Sequence, residues 1–289
     1  MKNSVKQHAS ALTAVLACLA LALVLYHSLA GGTLLQSSPY NSYALQAENW
    51  LAGRNNIANG ENYTWLELAI YQGRYYQSFP PVPAVLMLPF VAAAGEWSAI
   101  PGNLIAMGLA LLCAGGVYAC CMRGGMQPVT CAFFTLFVSM GSNVFWMSTS
   151  DGVWFLAQVC ALGFAFWGLF FAQGGNAVQD AAASLCMALA VGCRPFYALL
   201  LACWLGWQFY QRRSLKRILP ALLPAVVMAA CMMAYNFARF GSVTEFGHNY
   251  LPEFVRAENG QFSLTYLVPN LLQLLRPVTL DAQGQLHFE

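Results

Sequence analysis

The sequence predicts an all-α fold, a polytopic membrane bundle of about seven transmembrane helices with interfacial helices in its first outer loop. Three observations predict it. Charged residues make up 8% of the 289 positions, against roughly 25% in a soluble domain, which is too few to coat a water-facing surface. Apolar residues reach 59% and the mean hydropathy is +0.55, which excludes a disordered chain, a coiled coil and an ordinary water-soluble enzyme. The apolar residues also gather into long charge-free runs. A net charge of +2 leaves no electrostatic footprint for nucleic acid, so no nucleic-acid partner is expected.

The first run, 11–26, follows Lys2 and Lys6. Ser28 and Ala30 before Gly31 fit a signal-peptide cleavage site, but 16 residues is long for a signal core, and an uncleaved first span is the reading taken. Either way the next segment lies outside. Residues 82–94 carry Pro83 and Pro89. At about 1.5 Å per residue they cannot cross a hydrocarbon core of about 30 Å, so they are expected to form a half-membrane or interfacial helix. Further spans are expected at 104–122, 129–147, 153–171, 181–193, 196–210 and 218–235. Gly192, Arg194 and Pro195 interrupt the run 181–210, which is then one kinked helix or two short ones.

Charge chooses between these. If 82–94 does not cross and 181–210 crosses twice, one side holds Lys2, Lys6, Arg123, Arg212, Arg213, Lys216 and Arg217 with the single acid Asp180. The other side holds Arg54, Arg74, Arg194, Arg239, Arg256 and Arg276 with all ten remaining acids. This is the positive-inside pattern, with a cytoplasmic N-terminus. Residues 1–236 then form a membrane domain, including the outer loop 31–81, and 237–289 an outer C-terminal segment. The ten cysteines lie in or beside apolar runs, with no CxxC and no metal-ligand spacing, and read as small packing residues.

Chemistry is sought on the outer side. Glu48 falls on a predicted interfacial helix, 38–54, with Tyr40, Tyr43 and Trp50 as surface anchors. Glu67 falls in a predicted apolar helical turn between Leu66 and Leu68, followed by Arg74, Tyr75 and Tyr76. A carboxylate at a membrane surface can activate a hydroxyl as a general base, bind a divalent cation, or simply be solvated. Asp151, in STSDG between two spans, reads as an ion or substrate site or as a helix cap. Arg194 lies between two apolar runs, where a guanidinium needs a partner; a phosphate suits its planar fork, and a structural ion pair is the alternative. Arg239, Glu245, His248 and Tyr250 lie close in sequence, in a spacing that fits no triad or metal motif. Residues 268–276 read as another interfacial helix.

The segments GRYYQSFPPVPAVLMLPF (73–90), GCRPF (192–196) and NFARFGSVTEFGHNY (236–250), in that order, resemble bacterial membrane glycosyltransferases of the GT-C superfamily, relatives of the polyprenol- and dolichyl-phosphate-mannose protein mannosyltransferases. The resemblance runs from about Pro39 to the end of the chain. It implies a GT-C-like bundle in the bacterial plasma membrane, with its active face outward. It also implies transfer of a sugar from a polyprenyl-phosphate donor to a glycan, lipid or protein acceptor, with a divalent cation as an optional cofactor. Carried over, Glu67 or Glu48 is the base. Arg194, Arg74 and Asp151 hold the donor phosphate, and Tyr75, Tyr76 and His248 line the sugar site. Two departures stand out. The family places an aspartate soon after the first span, but residues 31–43 have none, and Asn41 stands near that place. Relatives also continue through further spans, so a truncated relative is one expectation. A non-catalytic binder of lipid-linked sugar and a transporter are the competing readings. Against the transporter, the sequence has no inverted repeat and few ionisable groups in its spans.

Overall fold

The computed structural model describes residues 2–253, 259, 263–276, 278–280 and 286–288. Arg256, counted above among the outer bases, lies outside the described residues. The chain is overwhelmingly helical. In order come α1 (Lys2–Leu29), α2 (Ser42–Leu51), the hairpin β1 (Leu68–Tyr71) and β2 (Arg74–Gln77), then α3 (Val82–Ala94), α4 (Gly102–Arg123), α5 (Pro128–Met140) and α6 (Val144–Met147). These are followed by α7 (Val153–Ala172), α8 (Ala177–Val191), α9 (Ala198–Arg212), α10 (Leu215–Phe240) and α11 (Leu267–Leu274). A second small antiparallel pair, β3 (Val278–Leu280) and β4 (Leu286–Phe288), closes the described chain.

Four helices, α1, α4, α7 and α10, are long and apolar enough to cross a membrane. The other apolar segments are shorter. The run 129–147 divides at Gly141, Ser142 and Asn143 into α5 and the single turn α6. The run 181–210 is two helices rather than one kinked helix. α8 ends at Gly192, Pro195 has no N–H with which to continue it, and a 3-10 turn over Pro195–Tyr197 leads into α9. Residues 82–94 form a helix with those bounds, entered through Pro81 and Pro83 and closed by Gly95 at φ 85°.

Side-chain contacts sort the helix ends into two groups. At one end, His8 of α1 meets Tyr118 of α4 at 3.1 Å, and Asp180 of α8 meets Arg212 of α9 at 2.5 Å. At the other end, His27 of α1 bonds Thr33 at 2.8 Å, and Asn103 of α4 donates to the Thr33 carbonyl at 3.0 Å. α1 and α4 therefore run in opposite directions, whereas α4 and α7 run the same way, since Asn103 meets Asp151 at their starts and Cys120 meets Gln173 at their ends. α2, the hairpin and α3 gather at the second end.

Two expectations are corrected here. Residues 38–54 do contain a helix, α2, but it is part of the core rather than a surface raft. Tyr43, Ala44, Leu45 and Ala47 are fully buried, and Tyr43 packs on Phe79. Its alanines let α3 approach closely, and Trp50 meets Tyr235 of α10 edge-on at 5.7 Å instead of facing lipid headgroups. Leu66–Leu68 is not a helical turn, because Leu68 begins β1. Gln72 and Gly73 both take positive φ, 50° and 72°, which is the two-residue turn geometry whose twist matches a hairpin. The main core lies where α2 and α3 pack against α7, around Met87, Val153, Leu156 and Cys160. α3 also joins α8 directly, since the Val82 N–H donates to the Gly192 carbonyl at 3.0 Å.

Candidate functional site

At the end of the bundle that carries the hairpin, four segments enclose a cavity of about 380 Å³. Ser78–Pro81 enters it from the β2–α3 connection, and Arg194 with Pro195 from the α8–α9 break. Asn236 and Arg239 come from the last turn of α10, and Phe246 and His248 from the loop beyond it.

The two arginines define its electrostatics. Arg239 is 5% exposed. Its Nη1 donates to the Gln77 carbonyl at 2.6 Å and its Nη2 to Asn236 Oδ1 at 2.9 Å. Its guanidinium lies 3.9 Å from the Tyr235 ring centre and 4.7 Å from that of Phe240, a favourable cation–π setting. Arg194 is half-buried, donates from Nη2 to the Trp154 carbonyl at 2.8 Å and sits 5.8 Å from the Phe79 ring. The Nε of each is buried without a hydrogen bond. Among the described residues neither has a carboxylate within ion-pair distance. Two guanidiniums that lack an ion-pair partner, beside one apolar-walled space, are costly to bury. That charge, and the free N–H groups, fit an anion with planar oxygen acceptors.

His248 adds a polar group rather than a third charge. Burial pushes its pKa below the ordinary histidine value, Glu245 and Glu253 oppose the shift, and the Arg194 charge reinforces it. The imidazole is therefore neutral at pH 7.

A second concavity, about 450 Å³, adjoins the first on the hairpin side. Glu61, Glu67 and Glu253 line it together with Tyr63, Trp65 and Tyr75. Glu67 lines this second concavity and is bonded to a wall of the first. Its carboxylate accepts from Trp154 Nε1 at 3.3 Å, and its carbonyl accepts from Ser78 Oγ at 3.1 Å. Trp154 thus bonds Glu67 through its ring and Arg194 through its backbone.

The sequence-predicted residues divide accordingly. Arg194 and His248 meet in the arginine cavity, while Glu67 and Tyr75 line the adjoining cleft. Tyr76 alternates to the other face of β2 and is buried against Phe240. Arg74 is exposed at the hairpin turn. Glu48 accepts from the Trp97 N–H at 3.2 Å, bonding α2 to the segment after α3.

Asp151 is placed away from both concavities. It is wholly buried and accepts from Ser37 Oγ at 2.5 Å, the Ser38 N–H at 2.7 Å and Asn41 Nδ2 at 2.6 Å. Its own N–H donates to Asn103 Oδ1 at 3.2 Å. It does not cap α7, whose first turn receives no side-chain cap. It fastens the segment between α1 and α2 to the start of α7. Burial raises its carboxyl above the ordinary range, and its three donors pull in the opposite direction.

Sequence reasoning passed over Arg239 as a site residue. Its signal was a polar pair, Asn236 and Arg239, one turn apart at the end of an otherwise apolar span. Among the described residues no group of three or more His, Cys, Asp or Glu is arranged to hold a metal ion. No family model, curated protein or solved structure matches the chain.

Proposed function

We propose that this protein is a bacterial membrane glycosyltransferase that takes a sugar from a polyprenyl-phosphate donor on the outer face of the plasma membrane. In this reading its helices make a GT-C-like bundle of about seven spans. The observation that carries the reading is the pair of arginines without carboxylate partners, Arg194 and Arg239, beside one apolar-walled cavity in a chain with four candidate spans. A lipid phosphate matches both features, since its charge answers the guanidiniums and its chain stays in the hydrocarbon. The positive-inside distribution of lysine and arginine supports the orientation.

In the reaction, the acceptor hydroxyl gives its proton to the Glu67 carboxylate as its oxygen bonds to the anomeric carbon. The bond from that carbon to the donor phosphate oxygen breaks, and the electron pair leaves with the phosphate. Arg194 and Arg239 stabilise the charge that grows there. No step passes through a metal.

The test is native mass spectrometry of protein purified in mild detergent and supplied with polyprenyl phosphate, beside a transfer assay with extracted lipid-linked sugars. Wild type and Glu67→Gln are expected to retain the lipid, and Arg194→Gln and Arg239→Gln to lose about tenfold or more in affinity, the worth of a hydrogen bond to a charged group. Glu67→Gln is expected to bind without turnover. No lipid retained by wild type overturns the donor assignment. Unchanged turnover in Glu67→Gln overturns the base.

A further inference from the structure

The cleft beside the arginine cavity has its own chemistry. Three glutamates, Glu61, Glu67 and Glu253, line it, and among the described residues no lysine, arginine or histidine does. Its sign is therefore opposite to that of the neighbouring cavity, which holds two guanidiniums. An anionic headgroup that fits one is repelled by the other.

Its aromatic rings are fixed rather than loosely displayed. Trp65 is 47% exposed, yet its Nε1 donates to the Pro39 carbonyl at 3.0 Å, and its ring meets Tyr63 edge-on at 5.8 Å. Tyr75 lies directly over Gly60, where an added Cβ would fall 2.2 Å from the Tyr75 ring. Only a glycine lets the ring rest there. Rigid flat rings beside hydrogen-bond acceptors suit a ligand with an apolar C–H face and a rim of hydroxyl or amine donors.

We infer that this cleft binds the acceptor, and that the acceptor end is a sugar residue that is neutral or carries an amine, not an acidic one. The inference rests on the glycosyl-transfer reading above and supplies its second substrate. Trp65 and Tyr75 stack on the sugar face, and Glu61 and Glu253 accept from its donors. Glu67, which borders the cleft and bonds through Ser78 and Trp154 to the walls of the arginine cavity, faces the hydroxyl that reacts.

The experiment uses the full chain in nanodiscs and follows ligand binding by saturation-transfer NMR. The probes are mannotriose, the chitosan trimer and trigalacturonate. Mannotriose, the chitosan trimer or both are expected to bind at millimolar concentration, and trigalacturonate is not. Trp65→Leu is expected to weaken binding about tenfold, or about 1.4 kcal/mol. Glu61→Gln, at an exposed position that does not threaten folding, should weaken binding of the chitosan trimer more than that of mannotriose. Absence of binding by both non-acidic probes overturns the inference, and so does equal binding of trigalacturonate or displacement of the sugars by phosphatidylglycerol vesicles. Sugar binding without retention of polyprenyl phosphate would remove the donor reading and leave the cleft. Lipid retention without sugar binding would do the reverse.

Discussion

Asn41 carries two jobs in one side chain. Its Oδ1 caps α2 by accepting from the Ala44 N–H at 3.0 Å, and its Nδ2 donates to Asp151 at 2.6 Å. An aspartate there would keep the cap and set a second buried carboxylate against the first. Asn41→Asp is therefore expected to cost about 3 kcal/mol at neutral pH, the scale of an unpaired buried charge, and to recover part of that in acid, where the two carboxyls share a proton. Thermal unfolding in detergent across pH 4–8 would check it. Wild-type Asp151 has the same sign on a smaller scale. Its folded-state pKa is raised, so its contribution to stability is full in acid and declines as the pH rises through that raised value. His248 is shifted the other way, downward, and so gains its charge below the ordinary histidine range. A phosphodiester keeps its charge over that interval, and its affinity for the arginine cavity is expected to rise severalfold as the pH falls through it. Titration of wild type beside His248→Gln reads this directly, and a pH-independent wild type would refute it. Arg194 was legible in the sequence because it stands alone between apolar runs. Arg239 was not, because its partner Gln77 lies far away in the chain and only folding brings them together.

At the scale of elements, legibility followed periodicity. The proline-bounded helix at 82–94 was readable to the residue, since Pro81, Pro83 and Gly95 are local signals. The hairpin was not. Leu66–Leu68 reads as an apolar turn in isolation, and Gln72–Gly73 is a weaker turn signature than Asn–Gly, although it takes the same backbone conformation. Gly73→Val is expected to cost about 1–2 kcal/mol by forcing a β-branched residue to positive φ. The hairpin would loosen before the bundle does, so limited trypsin should cut at the exposed Arg74 faster than in wild type while the four long helices stay protected. α2 shows the limit of composition. Tyr43 and Trp50 looked like interfacial anchors, but Tyr43 is buried against Phe79 and Trp50 packs on Tyr235 of α10, partners that the local sequence does not reveal; Tyr40 alone of the three stays exposed.

For the whole molecule, hydropathy showed a helical membrane protein, and charge supplied an orientation that remains to be measured. A cysteine introduced at Glu61 is expected to react with a membrane-impermeant maleimide from outside intact cells, and one at Gln211 only after lysis, with wild type as the baseline for the ten native thiols. The reverse pattern would invert the proposed topology. The bond from Val82 to Gly192 carries a further consequence. α8 and α3, of 15 and 13 residues, are each too short to cross a hydrocarbon core of about 30 Å, yet their combined rise is about 42 Å. They are also joined by a hydrogen bond between distant parts of the chain, not by a peptide bond. The arginine cavity straddles that joint, with Ser78–Pro81 on the α3 side and Arg194 and Pro195 on the α8 side. Whatever occupies the cavity works as a clasp. Its binding energy adds to the cohesion of the joint, and an emptied cavity leaves the segment between α1 and α3 held to the bundle by fewer bonds, so delipidation should lower the melting temperature of the whole protein.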